Sequence, residues 1–355
     1  MGLNGHLMIS SMEKEEIELS IVIVNYKTPV LTDICIGSIF QQTKHLQFEV
    51  IVVDNDSQDN SKNLITTKFP EVNWIDSGLN AGTSVAYNIG IRASKGKYIL
   101  ILNSDTEFRD NAILHSLIEY KILEKTNKIG LFSCQLIGYD NIIQFNSNIS
   151  FPSIKKYLRA NALCIRLNMF QHKLTDEERL KLHLTAHKTK WIGIAFGIFN
   201  ADICRKDNLY FDEDIFMYSD EVEWCYRLSQ NGYSHHFSPI ATVLHLNGGS
   251  STFSEWRHGQ VTLSEWMCFM KMKGKLYFML CIVLILFNHL LDGLFFFKHK
   301  LLHTLTTENI EALRTRNLEL RIIRRYFYRI LVNYSRKTTS NNTFLKYEME
   351  QIQAK

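Results

Sequence analysis

The chain has 355 residues, of which 46% are hydrophobic and 21% charged, so it can bury a large core and is not a disordered chain. The formal net charge is +4, but the segment from Lys298 to Lys355 alone holds 12 Lys/Arg against 5 Asp/Glu. Because the rest is net negative, the balance argues against a nucleic-acid-binding body. The basic segment suits an acidic surface such as a membrane.

Cysteine spacing and the first residues bear on the cellular compartment. Seven cysteines are scattered without a CxxC pair, which indicates reduced thiols rather than a disulfide frame or a zinc site. The N-terminal stretch has no basic start followed by an apolar run, so we expect no secretory signal and a cytosolic protein.

Short apolar, β-branched runs alternate with helix-like stretches in the first hundred residues. The runs cover residues 19–26, 49–55, 72–78 and 97–105, and the helix-like stretches cover 29–42, 59–69 and 83–94. Runs that are apolar on both faces are typical of strands in a buried parallel sheet. The alternation therefore predicts βαβ units and an α/β fold.

Three of these runs end in polar side chains. The first ends at Asn25, the second at Asp54, Asn55 and Asp56, and the third at Asn103 and Asp105. In an open parallel sheet, ligands bind outside the carboxyl ends of the strands, so we expect one shared crevice. The alternative is that Asn and Asp only start turns, which explains one such ending more easily than three.

Asn103 and Asp105 stand one residue apart at the end of the third strong run. Strand alternation sends both side chains to one side, where oxygen ligands suit Mg²⁺ or Mn²⁺ on a substrate phosphate. A helix cap is the alternative role for Asp105. Neither phosphate-binding glycine motif, G-x-x-x-x-G-K-[ST] or G-x-G-x-x-G, is present.

The stretch 212–233, DEDIFMYSDEVEWCYRLSQNGY, concentrates carboxylates ahead of aromatic residues. Asp220 followed by Glu223 predicts an N-cap and a capping box, and Gly232 fits the position that ends a helix. Glu221 in the first turn is a candidate general base. The alternative is that these carboxylates only satisfy the helix N-terminus. His245, at the end of an apolar strand, is a candidate metal ligand.

The most hydrophobic segment is 277–297. It has the length of a membrane-spanning helix, but Asn288, His289 and Asp292 argue against lipid on all sides. A helix lying in the cytosolic membrane interface fits better than a spanning or a buried helix. A basic amphipathic helix is predicted after it, with RNA binding as the runner-up reading.

Five motifs in this order resemble family 2 glycosyltransferases, in particular bacterial rhamnosyltransferase-like members. They are SIVIVNYK, VVDNDSQDN, SGLNAGTSVAYNIGIRASKGKYILILNSDT, FDEDIFMYSDEVEWCYRLSQNGY and VLHLNGGSS. The resemblance covers about two thirds of the chain. It implies the GT-A (Rossmann-like) fold, a mostly parallel sheet flanked by helices, followed by a C-terminal hydrophobic and amphipathic helical tail. The implied domains are an extension at 1–17, a transferase domain at 18–255 and a membrane-associated helical region at 256–355. The transferase domain divides into a nucleotide-sugar half at 18–128 and an acceptor half at 129–255.

The resemblance also assigns roles to residues. Nucleotide-sugar binding falls to Asn25, Tyr26, Asp54, Asn80, Asn88, Arg92 and Asn103, with Asp54 on the uracil or thymine base and Arg92 near the phosphates. Asp105 and His245 are implied to hold Mn²⁺ or Mg²⁺, and Glu221 is implied to be the catalytic base, with Asp220 beside it as the alternative. This chain departs from the family pattern at two of these positions: the base is usually Asp, and Asn103 replaces the first Asp of D-x-D.

The implied function is inverting transfer of a hexose or deoxyhexose from a UDP- or dTDP-sugar to a glycan acceptor. We expect a lipid-linked acceptor, O-antigen or capsule synthesis, the cytoplasmic face of the inner or plasma membrane, and no nucleic-acid partner. The alternative is a catalytically inactive sugar-binding or scaffold subunit of a polysaccharide assembly complex. A sugar nucleotidyltransferase is disfavoured because NYKTPVLTD, after the first strand, has no glycine.

Overall fold

The structure is a computed structural model that describes residues 16–159, 174–246, 255–301, 307–334 and 346–347. The strands, β1 to β12 in chain order, are Leu19–Asn25, Phe48–Asp54, Asn73–Asp76, Tyr98–Asn103, Thr106–Glu107, Ile129–Ile137, Ile143–Gln144, Ser147–Asn148, His187–Thr189, Trp191–Ile192, Phe196–Asn200 and Ser234–His245. The helices, α1 to α11, are Pro29–Gln42, Ser61–Lys68, Thr83–Ala93, Ala112–Glu124, Lys155–Arg159, Asp176–His183, Asp202–Arg205, Asp220–Gln230, Glu255–Lys273, Lys275–Leu301 and Thr307–Asn333. Most of the predicted N-terminal extension and the last five residues of the VLHLNGGSS motif lie outside the described residues.

Strands β1 to β4 form the parallel sheet that the sequence predicts. Their order is β3-β2-β1-β4, and every neighbouring pair is parallel. The sheet then continues through β11, β6, β12 and β5. β11 runs antiparallel to both β4 and β6, whereas β6 and β12 are parallel to each other.

The central strands are apolar on both faces because helices cover both sides of the sheet. Ile21 and Ile23 of β1 pack with α1 and α4 on one side, whereas Val22 packs on the other side with Ile91 of α3 and Trp224 of α8. Burial on both faces therefore explains the continuous β-branched runs. The predicted α/β fold with a mostly parallel sheet is confirmed.

Helices α9, α10 and α11 pack together in a separate apolar cluster. Trp266 of α9, Phe278 of α10 and Ile322 of α11 are buried in it, with Tyr157 of α5. Within the described residues, no helix is both long and apolar enough to cross a membrane. The division of the chain into domains stays a prediction.

Candidate active site

A cleft of about 560 Å³ lies beyond the carboxyl ends of β1, β2 and β4. Its lining comes from the ends of these strands, the start of α3, the loop before α8, the starts of α8 and α9, the end of β12 and the segment 346–347. The lining residues are Val24, Tyr26, Thr28, Asn55, Asn80, Thr83, Tyr87, Asn103, Ser104, Asp105, Ile194, Phe216, Met217, Tyr218, Asp220, Glu221, His245, Trp256, Arg257 and Lys346. Residues more than 200 positions apart in sequence thus meet in one crevice.

Seven of the residues predicted for the site line this cleft. They are Tyr26, Asn80, Asn103, Asp105, Asp220, Glu221 and His245. The other four, Asn25, Asp54, Asn88 and Arg92, are not among the lining residues, and their contacts explain why.

Asn25 and Asp54 are buried in a hydrogen-bond network behind the cleft wall. The Asn25 side-chain amide donates to Asp54 Oδ1 at 2.6 Å. The backbone N–H of Ser57 donates to Asp54 Oδ2 at 2.9 Å, and the Ser57 hydroxyl donates to Oδ1 at 2.5 Å. Both carboxylate oxygens of Asp54 therefore brace the loop after β2 in this conformation rather than facing a nucleobase.

Asn55 follows Asp54 in the chain, and the family resemblance assigned it no role. It is 2% exposed and lines the cleft. Its amide nitrogen donates to Asn80 Oδ1 at 3.1 Å, but its own Oδ1 has no hydrogen-bond partner among the described residues. A buried acceptor without a donor is costly, so this oxygen is suited to an N–H supplied by a ligand.

Asn88 and Arg92 lie toward the far end of α3 and hold the loop before α8. The Asn88 amide donates to the Phe211 carbonyl at 3.0 Å and to Glu213 at 2.9 Å. Arg92 pairs with Glu213 at 3.1 Å and lies 4.8 Å over the ring of Tyr210. The structure thus departs from the expectation of an arginine beside phosphates, because the helix carries Arg92 away from the cleft and toward an acidic partner.

The start of α3 touches the same loop through its backbone. Gly82 has φ 91°, and a Cβ there would lie 1.8 Å from the Phe216 carbonyl oxygen. The N–H of Thr83 donates to that oxygen at 2.8 Å. This approach, which only glycine permits, brings the loop and the acidic end of α8 to the cleft.

Asp105, His245 and Asn103 converge at the end of β4. His245 Nε2 lies 3.4 Å from Asp105 Oδ1 and 3.4 Å from the Asn103 amide nitrogen. His245 Nδ1 lies 2.7 Å from Gln144 Oε1, an oxygen that can only accept, so a neutral His245 carries its proton on Nδ1 and leaves the Nε2 lone pair for a ligand. One carboxylate and one neutral imidazole fit a divalent cation that completes its shell with water and phosphate oxygens. The described residues hold no group of three or more His, Cys, Asp or Glu side chains arranged for a metal.

The N-terminus of α8 differs from the predicted capping box. The N-cap is Ser219, which has φ 60° and makes no side-chain cap, and Asp220 is the first helical residue. Tyr218 and Ser219 are both left-handed, and this turn displaces the start of the helix by one residue. Glu223 instead pairs with Arg227 through both carboxylate oxygens, at 3.0 and 2.9 Å. Gly232, with φ 82°, follows the C-cap as predicted.

Asp220 and Glu221 form a carboxyl pair in the cleft. Burial first, and then the charge of Asp220 and a hydrogen bond with it, raise the pKa of Glu221 well above its usual range. The Thr83 hydroxyl donates to Asp220 Oδ2 at 2.9 Å. A raised pKa means that Glu221 exchanges its proton at a higher pH than a free glutamate does. The pair therefore offers a proton-transfer group inside the cleft.

Comparison with known proteins finds glycosyltransferases similar to part of this chain. Residues 20–168 match the sequence model of the family described as "Glycosyl transferase family 2". The "Low-salt glycan biosynthesis hexosyltransferase Agl10" of Haloferax volcanii is 28% identical over 214 residues, 59% of this chain and 61% of that protein. The "Uncharacterized glycosyltransferase EpsJ" of Bacillus subtilis is 25% identical over 201 residues, 56% of this chain and 52% of that protein. The matches thus span between half and two thirds of these two relatives.

A solved structure supports the same fold. The chain is similar to the "Crystal structure of GalNAc-T7 with UDP, GalNAc and Mn2+" with a TM-score of 0.50 and 16% identity, over 73% of this chain and 51% of that one. The likeness at this identity concerns the fold alone. The model match over residues 20–168, the parallel sheet and this likeness agree on the GT-A fold, and the matched segment is similar to family 2 glycosyltransferases.

Proposed function

We propose that the protein transfers a sugar from a nucleoside-diphosphate donor to a hydroxyl of a glycan acceptor, with inversion at the anomeric carbon. The observation that best supports this function is that the carboxyl pair Asp220/Glu221 and the Asp105–His245 pair line the same cleft. One pair suits proton removal from an acceptor, and the other suits a divalent cation that would bind a charged diphosphate.

The reaction is a single displacement. Glu221, in its ionised form, takes the proton of the acceptor hydroxyl, and that oxygen bonds to the anomeric carbon. The bond from that carbon to the diphosphate oxygen breaks on the opposite face, and the diphosphate leaves with the electron pair. Asp220 keeps its hydrogen bond from Thr83 and sets the charge beside the base.

A divalent cation, Mn²⁺ or Mg²⁺, would be held by Asp105 and His245, with Asn103 beside them. When bound, it would offset the charge that develops on the leaving diphosphate. In this proposal Gln144 fixes the tautomer of His245, so its role is to keep Nε2 available as a ligand.

The free oxygen of Asn55 supports a uracil or thymine base in the donor. Both bases carry an N3–H that can donate a hydrogen bond to this oxygen, whereas the cytosine N3 has no hydrogen to donate. Tyr26, 38% exposed at the same cleft, offers a ring face for the base.

The acceptor we propose is a lipid-linked glycan of a bacterial cell-surface polysaccharide, such as O-antigen or capsule. One relative is named for glycan biosynthesis. The rhamnosyltransferase-like subtype stays a prediction.

An exposed apolar face of α10 supports the proposal of a lipid-linked acceptor. Eight large apolar side chains recur every three or four residues on its exposed face: Leu276, Met279, Leu280, Val283, Leu286, Phe287, Leu290 and Leu294. This apolar stripe is about 27 Å long at the helical rise. Its opposite face packs in the helical cluster through Phe278 and Ile285.

Basic side chains accompany the apolar stripe. Lys273 and Lys275 are exposed beside its N-terminal end, and α11 exposes Arg324, Arg325 and Arg329. An amphipathic helix with basic neighbours is suited to lie in the interface of an anionic lipid surface. We propose a peripheral or monotopic location on the cytoplasmic membrane face.

The test is release of nucleoside diphosphate by the purified protein with UDP- and dTDP-sugars, with Mg²⁺ or Mn²⁺ and then with EDTA. We expect release from one donor class, loss in EDTA, and loss in Asp105→Ala. Donor binding without release under every glycan acceptor would instead favour the inactive sugar-binding or scaffold subunit. Absence of both binding and release would reject both functions.

A further inference from the structure

Two cations from outside the family-matched segment enter the cleft. Arg257 stands in the first turn of α9, and Lys346 belongs to the short C-terminal segment 346–347. Lys346 Nζ lies 4.9 Å from the centroid of the Phe216 ring. Among the described lining residues these are the only lysine and arginine, so the described residues between 16 and 246 contribute neither.

Tyr347 anchors this segment on α9. It is 5% exposed, its N–H donates to Gln260 Oε1 at 2.7 Å, and the Trp256 indole donates to its carbonyl at 3.0 Å. Gln260 donates in turn to Ser264, whose hydroxyl donates to the Met217 carbonyl at 2.6 Å. The segment is thus tied to the loop that precedes α8.

Gly259 makes room for the Tyr347 ring. A Cβ at this position would lie 2.7 to 2.8 Å from three atoms of that ring. Gly259 lies in a helix interior, where glycine is less stable than alanine by about 1 kcal/mol. The Tyr347 ring, which occupies the space of a side chain, explains why glycine stands here. Tyr347 thus packs against Gly259 and is hydrogen-bonded to Trp256 and Gln260.

We propose that Lys346, held in the cleft by Tyr347, binds the diphosphate of the donor, with Arg257 contributing a second positive charge. The inference rests on the proposed function, because it requires a nucleoside diphosphate in this cleft. Asp105, Asp220 and Glu221 give the cleft acidic side chains, and an anionic diphosphate there needs positive charge beyond a single cation. Lysine supplies a compact charge that becomes more favourable as the leaving group gains charge.

The experiment measures the affinity of the full chain for UDP, dTDP and the two free nucleosides, by calorimetry with Mg²⁺ present. Lys346→Ala should weaken diphosphate binding at least about ten-fold, and nucleoside binding should not change. Gly259→Ala and Tyr347→Ala should lower diphosphate affinity in the same way, because they displace the segment. Lys346→Arg should retain most of the affinity, and Lys273→Ala, which removes an exposed lysine at the C-terminal end of α9, should not change it.

The outcomes separate the two claims. Unchanged diphosphate affinity in Lys346→Ala, or an equal loss for diphosphate and nucleoside, overturns the inference and leaves the proposed function standing. An unaltered protein that binds no diphosphate overturns the proposed function, and the inference with it. Salt should weaken diphosphate binding less in Lys346→Ala than in the unaltered protein, a difference that a purely structural role would not produce.

Discussion

Asp220 and Glu221 are adjacent in the chain, yet their neighbours differ. Asp220 receives a hydroxyl donor from Thr83, whereas Glu221 is desolvated and lies beside a like charge. Like charges and burial both favour the protonated form, so the raised pKa of Glu221 follows from its surroundings rather than from its type. A base of this kind works closer to neutral pH than a free carboxylate does.

The pH dependence of transfer should show this raised pKa. Activity requires ionised Glu221, so kcat/KM should rise with pH through a value above the ordinary glutamate range of about 4.3. Asp220→Asn removes the neighbouring charge, lowers the pKa of Glu221 and should shift this limb toward lower pH. Glu221→Gln should remove the limb and reduce kcat by a factor of about 10² to 10⁴. A Glu221→Gln enzyme with full activity, together with an inactive Asp220→Asn enzyme, would reassign the base to Asp220.

Asn55 should determine the base of the donor. Asn55→Ala removes the oxygen that accepts the N3–H, so the preference for UDP over CDP should fall by about ten-fold or more. Asn80→Ala is the matched control, because it removes the partner of the Asn55 amide but leaves the oxygen. Affinities for UDP and CDP by calorimetry decide the point, and an unchanged preference in Asn55→Ala would contradict the assignment.

At the scale of elements, a buried ion cluster joins helix α9 to the loop before α8. Lys271 of α9, 3% exposed, pairs with Asp212 at 2.9 Å and with Asp214, both in the loop before α8. Burial first, then the charge of Glu223, raises the pKa of Asp212 to about 6. The cluster holds the loop whose far end, at Phe216 and Met217, lines the cleft.

Lys271→Ala should therefore destabilise the fold by about 3 to 5 kcal/mol, because it leaves buried carboxylates without their cation. Lys273→Ala removes an exposed lysine from the same helix and should cost about 0 to 1 kcal/mol. Chemical denaturation of both variants measures the difference. Equal stabilities would show that Lys271 is not the counter-ion of the loop.

The ion cluster around Lys271 should make the free energy of unfolding depend on pH. The folded pKa of Asp212 is raised, so its contribution to stability is complete below about pH 4 and declines as pH rises through about 6. Asp212→Asn cannot ionise. The unfolding free energy of the unaltered protein should therefore fall relative to that of the variant across this window. A constant difference from pH 4 to 7 in denaturant titrations would contradict this ionisation.

Sequence patterns predicted a helix or strand correctly where residues close in the sequence determine its bounds. Helix α1 has the predicted bounds, because Pro29 suits a first helical position. The start of α8 was wrong by one residue, because the left-handed turn at Tyr218 and Ser219 depends on the packing of the loop. The antiparallel insertion of β11 had no local signal. Arg92 was expected at the phosphates, but its acidic partner Glu213 lies 121 residues away.

At the scale of the whole molecule, the cleft is assembled from both ends of the chain. The strand ends from Asn25 to Asp105 could be grouped from sequence, because parallel strands present their carboxyl ends at one edge. Arg257 and Lys346 could not, because their place depends on how α9 and the segment 346–347 pack.

The apolar stripe of α10 should bind the whole protein to anionic membranes. Val283→Asp with Leu290→Asp places charges in its centre and should abolish co-sedimentation with phosphatidylglycerol vesicles. Ile122→Asp, a change at an exposed apolar residue of α4, should not. Loss of self-association in the stripe variant, measured by sedimentation velocity, with no vesicle binding by the unaltered protein, would instead identify the stripe as an interface between copies.

The contact between Gly82 and Phe216 bears on how such proteins can be recombined. The backbones of Gly82 and Phe216 approach too closely for a Cβ at position 82. The start of α3 and the loop before α8 are therefore complementary in shape. A chimera that exchanges the donor half of this chain for that of a relative must carry a glycine at the equivalent position. It must also keep a loop of matching shape, or the acidic helix will no longer reach the cleft. Donor and acceptor specificity can therefore be exchanged as modules only when this junction is transplanted intact.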